Sequence, residues 1–177
     1  MPRQIKIESV QGKMPRRYRV HPLLITIRVV MALALVAYSL YFLGRWVSAD
    51  THLILKILSL VILYIGLDSL FRHLTMLSSI IFTPECLWLR FPLKPSIPIP
   101  WENILSLQLQ KRITLYLHLE YNDLKGKKRM FKTAASFPKM LEIMYNISAL
   151  APQAELNQEL DGVVKYLKEL IKTEVNE

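Results

Sequence analysis

The chain has 177 residues, 52% of them hydrophobic, and a formal net charge of +9; this length suits one modest domain with accessory segments. A single cysteine, Cys86, excludes a disulfide framework and a thiolate metal site within one chain. His21, His52, His73 and His118 lack metal-ligand spacing, and five scattered glycines form no phosphate-cradling loop, so no cofactor is expected.

Residues 1–22 form a basic segment, with Arg3, Lys6, Lys13, Arg16, Arg17 and Arg19 set against one acid, Glu8. Two uncharged apolar runs follow, at 29–44 and 57–67. With their flanks they predict transmembrane helices at about 23–47 and 52–73, together a hairpin over 23–75, long enough for a hydrocarbon core about 30 Å thick. Neither run has a polar face. The leader and the first apolar run are both too long for a cleaved signal peptide. Because positive charge crowds the N-terminus, the positive-inside rule places both termini in the cytoplasm and the short connection outside an inner membrane.

Charges inside the spans need partners or a route to water. Lys56 reaches the nearer interface with its own stem. Asp68 is too short for that. In an antiparallel hairpin Arg28 lies at its depth, which predicts an intramembrane pair Arg28–Asp68, with Arg72 as a second candidate at i+4.

After residue 75 the period changes. Residues 76–83 and 87–91 read as strands, the second with Leu87, Leu89 and Phe91 on one face. The run "SIPIPW" at 96–101 cannot be a central strand, because its prolines donate no ladder hydrogen bonds. Alternation resumes at 104–110, with Leu105, Leu107 and Leu109 inward, and at 113–121, with Ile113, Leu115, Leu117, Leu119 and Tyr121 inward. His118 then falls on the outer face. Gly126 serves the turn into a basic strand at 127–133. Residues 136–150 predict a helix capped by Ser136, with Phe137, Met140, Leu141, Met144, Ile147 and Ser148 on its apolar face. The fold class expected is α+β: the two-helix hairpin, then antiparallel strands closed by one helix.

This order, with Ile99, Pro100, Trp101 and Ile104, the alternating run to Tyr121 and the helix from Ser136, resembles the bacterial pleckstrin-homology-like (PH-like) domain that often follows two membrane helices. The resemblance covers about 76–150 plus the spans. It implies a small, partly open β-barrel capped by a helix, and a binding or scaffolding role in place of catalysis.

Two features point to binding. Lys125, Lys127, Lys128, Arg129 and Lys132 cluster on one hairpin, where each cation near an anionic leaflet is worth about 1 kcal/mol; a solvated face is the alternative. The second is a separate amphipathic helix over 151–177, whose Leu156, Leu160, Val163, Leu167 and Leu170 follow 4-3-4-3 spacing. It suggests docking on a partner, or packing back on its own domain. Trp88 and Tyr116 form no stacking platform, so nucleic acid is not an expected partner. The expectation is a non-enzymatic accessory, assembly or scaffold subunit of a membrane protein complex, contacting membrane lipids and other subunits or itself. A module that binds or senses anionic lipid is the alternative.

Overall fold

The computed structural model describes residues 13–46, 52–111 and 114–175. Arg3, Lys6, Glu8 and Ile113 lie outside them. The chain forms two compact units: Arg19–Ser78 with Phe91–Pro95, and residues through Tyr18 with Ser79–Arg90 and Ser96–Glu177.

The first unit is a helical hairpin of α1 (Pro22–Trp46) and α2 (Leu53–Thr75). Their mean hydropathies of 2.3 and 2.1 and their lengths suit a membrane crossing; at 1.5 Å per residue each spans about 35 Å. Only 11% of each span is buried, and Leu33, Leu40, Leu60 and Ile65 face outward. A core helix of a soluble protein shows the reverse. The helices meet through small residues, as spans do where no hydrophobic effect drives them together. Ala32, Ser39 and Ser59 are buried, and a Cβ on Gly66 would stand 3.0 Å from Val36 Cγ2. Each buried serine donates to a carbonyl of its own helix, Leu35 and Leu55 respectively, both at 2.8 Å.

The second unit holds two four-stranded sheets. One has the order β1 (Arg16–Arg19), β2 (Ser79–Phe82), β3 (Cys86–Arg90), β4 (Ile97–Pro100). The other runs β7 (Lys128–Ala134), β6 (Leu115–Asn122), β5 (Ile104–Lys111), β8 (Glu155–Leu156). Strand β1 comes from the basic leader, to which no strand was assigned above. Only Val20 and His21 separate it from α1, and Met76–Ser78 separate α2 from β2. The membrane-length hairpin is therefore an insertion between neighbouring strands of one sheet.

The prolines act as their chemistry requires. Strand β4 pairs with β3 only, in the register Leu87↔Ile99 and Trp88↔Pro98, and forms the sheet edge. A 3₁₀ turn, Trp101–Asn103, then leads to β5. Trp101 is pinned there: Nε1 donates to the Thr83 carbonyl at 3.0 Å, and its ring lies 5.5 Å from that of Phe82.

The sheets are not closed into the partly open barrel that the resemblance implies. Strand β4 ends in Pro100, and the second edge of β5 is taken by β8, which pairs in parallel through Ser106↔Glu155 and Leu107↔Leu156. The β5–β6 register also shifts between Ile104 and Ser106. That bulge buries Ile104 and Ser106 and leaves Leu105 half-exposed, where simple alternation points Leu105 inward and Ser106 out. Beyond it, Leu107, Leu109, Leu117, Leu119 and Tyr121 are buried as expected, whereas Leu115 is exposed.

Helix α3 (Met140–Leu150) starts later than Ser136, because Lys139 holds a left-handed conformation, φ 56°, at its N-cap. Its buried face is Met140, Ile143, Met144 and Ile147, together with Glu142 and Asn146. Helix α4 (Gln158–Val175) starts later than the amphipathic spacing alone suggests. Asn157 fixes that start. Its Oδ1 accepts from the Leu160 amide at 3.2 Å, capping the helix, and from the Leu109 amide at 3.0 Å. Its Nδ2 donates to the Leu109 carbonyl at 2.8 Å. The core gathers Phe82, Leu87, Leu89 and Ile99 from one sheet and Ile104 and Leu107 from the other. Ile143, Met144 and Ile147 of α3 and Leu160 and Leu167 of α4 complete it.

Candidate functional site

The basic hairpin joins β6 to β7 through a turn organised by Asp123. Its Oδ1 accepts from the Lys125 and Lys127 amides, both at 2.9 Å, and Oδ2 accepts from Arg129 Nε at 3.3 Å. Gly126 takes φ +73°, a conformation costly for any residue with a Cβ. The amide donors, Lys127 first, hold the Asp123 carboxyl below its usual range. Glu120 is likewise lowered, first by Lys128 Nζ at 2.9 Å and then by the Ser106 hydroxyl at 3.1 Å. Depressed carboxyl pKa values stabilise the fold above the ordinary carboxylate range, and that contribution is lost as pH falls through the folded-state values.

The five cations of the hairpin therefore differ. Lys128 is paired with Glu120, Arg129 with Asp123, and Lys132 Nζ lies 4.1 Å above the Tyr116 ring. Lys125 and Lys127 lend backbone groups to the turn and keep exposed side chains. Beside them Leu124 is 74% exposed. The tip thus presents an apolar side chain followed in the turn by two exposed lysines. Lysines along β7 also suit an edge strand, where charge discourages pairing with another chain.

The terminal helix is placed differently from a docking helix. Leu160, Val164 and Leu167 are buried in the chain's own unit, Val163 is half-buried, and Leu156 belongs to β8. The Leu170 side chain lies outside the described residues. Helix α4 lies against β5 and α3, so Leu160, Val164 and Leu167 are core residues of the chain's own unit. The pairing of β8 with β5 and the bonds of Asn157 to the Leu109 backbone fasten the start of α4 beside β5.

The intramembrane pair also differs. Among the described residues no Arg28–Asp68 ion pair forms; Asp68 Oδ2 accepts from Arg72 Nη2 at 2.6 Å, one turn along the same helix. His118 is half-buried on β6, opposite Gln108 and Lys132. Among the described residues no three of His, Cys, Asp and Glu gather into a metal-holding group.

One cluster was not foreseen from spacing. The Glu142 carboxylate, 3% exposed, receives Arg16 Nη2 at 2.5 Å, the Tyr18 hydroxyl at 2.8 Å and Lys139 Nζ at 3.4 Å. Burial first, then the Glu142 hydrogen bond, raises the Tyr18 pKa well above the usual tyrosine range. The cluster ties β1 to α3. Its available signals were a tyrosine amid arginines and an acid on an apolar helix face. No family model, curated protein or solved structure matches the chain.

Proposed function

We propose that this chain is a membrane-anchored, non-enzymatic PH-like module that serves as an accessory, assembly or scaffold subunit of a membrane protein complex. In this reading it sits in a bacterial inner membrane with both termini in the cytoplasm, as the charge distribution favours. The observation that carries it is the insertion of the span hairpin between β1 and β2. A domain fastened to its anchor on both sides of the insertion is suited to holding a binding surface at the bilayer. The PH-like assignment is supported by the meanders β2–β4 and β5–β7 followed by α3. With α4 committed to the core, the surface offered to another subunit lies on the outer face of β5–β7, where Gln108, Gln110, Tyr116 and His118 are half-exposed.

The full chain, tagged and taken directly from its native membrane into polymer-bounded lipid discs, should carry other membrane proteins in fixed ratio through a high-salt wash. Recovery of the chain alone would contradict the scaffold role. The anionic-lipid reading is favoured by the exposed Leu124, Lys125 and Lys127. If it holds, Lys125→Gln with Lys127→Gln should remove anionic-lipid enrichment from those discs and leave subunit recovery unchanged. Enrichment that survives both changes would reduce the hairpin to an edge-guarding strand.

A further inference from the structure

We infer that the β3–β4 connection is a second membrane contact, with Leu93 set into the lipid interface beside the end of α2. The inference rests on the reading of α1 and α2 as spans. Residues Phe91–Pro95 pack with the helical hairpin, although the strands on either side belong to the sheet unit. The Leu93 amide donates to the Leu74 carbonyl at 3.2 Å. Leu74 lies in the last turn of α2, where helical geometry leaves carbonyls without partners. Near lipid such a carbonyl is costly to leave bare. Met76 supplies a donor to Arg72, and Leu93 supplies one to Leu74.

That hydrogen bond sets the height of Leu93. Leu93 is 69% exposed, and Phe71 and Met76 at the end of α2 are 64% and 48% exposed, so apolar side chains are presented there beside the exposed Arg72. Pro92 and Pro95 restrict the backbone around Leu93 and Lys94. Exposed Lys94 follows directly, suited to reaching headgroups while Leu93 enters the acyl boundary. An exposed leucine alone would carry nothing. A leucine hydrogen-bonded to the final turn of a span has its depth set by that span.

The test uses the full chain with Cys86→Ser, carrying either Leu93→Cys or Ile65→Cys, each labelled with an environment-sensitive fluorophore. Both proteins are reconstituted in vesicles of phosphatidylcholine and phosphatidylglycerol. Lipids spin-labelled near the headgroup or near the chain end then report depth. The probe at position 93 should be quenched at least about twofold more by the shallow label than by the deep one, as a contact held about 5–10 Å into the boundary requires. The probe at position 65, at mid-span and outward-facing, should show the opposite order. Quenching at position 65 with only aqueous iodide quenching at position 93 would overturn the inference and leave the spans standing. No lipid quenching at position 65 would remove the membrane reading and this contact with it.

Discussion

Glu142 sits among Met140, Ile143, Met144 and Ile147, an environment in which an unpaired carboxylate is costly. Arg16 and Tyr18 make it tenable by bringing donors from the far end of the sequence. Removing the acceptor should therefore cost more than removing one donor. Glu142→Ala removes the one acceptor that Arg16, Tyr18 and Lys139 share and should destabilise the domain by about 3 kcal/mol. Tyr18→Phe leaves Arg16 on the carboxylate and should cost about 1 kcal/mol. Alkaline pH separates the two roles. A tyrosine whose pKa is raised on folding stabilises the fold fully below its ordinary value of about 10, and that contribution is lost as pH rises through the folded value. Thermal unfolding of the full chain in detergent should show a steeper loss above pH 10 for the unmodified protein than for Tyr18→Phe, since Tyr121, also raised, is common to both. Equal Tm values for Glu142→Ala and the unmodified chain would mean that β1 is held by backbone pairing alone.

Among the elements, α4 shows what a periodic stripe specifies. The spacing of Leu160 and Leu167 signals that one face is buried, but spacing is silent about what covers it. Packing on β5 and α3 makes α4 part of the domain. Leu160→Asp places a carboxylate at a site with no solvent exposure and should cost more than about 4 kcal/mol, most of the stability of a marginal domain. Limited proteolysis of the full chain should then cut within 79–175 and spare the spans; a protected domain would restore α4 to a docking role. The spans, the edge position of β4 and the alternation of Leu117, Leu119 and Tyr121 were legible because each follows from one local rule: length, a missing donor, or period two. Strand β1 was not, since RRYR offers one buried side chain, Tyr18, and no period. The same limit applies to β8, a two-residue strand whose pairing with β5 is entirely non-local. At the candidate site the cationic residues were legible, but their pairing was not. Only the fold brings Glu120 and Asp123 against Lys128 and Arg129.

At the scale of the whole molecule, the sheet topology and the number of spans make the same demand. Because β1 neighbours β2 in one sheet, the residues before α1 and those after α2 must lie on one side of any bilayer that the hairpin crosses. The charge distribution proposes which side that is. Accessibility from the two faces of the membrane tests whether both ends of the hairpin return to one domain. Single cysteines replace Lys13, His52 or Lys125 in the Cys86→Ser chain, and a membrane-impermeant maleimide is applied to right-side-out and inverted native vesicles. Positions 13 and 125 should be labelled only from the cytoplasmic face and position 52 only from the other. Labelling of positions 13 and 125 from opposite faces, or of all three from one face, would contradict it.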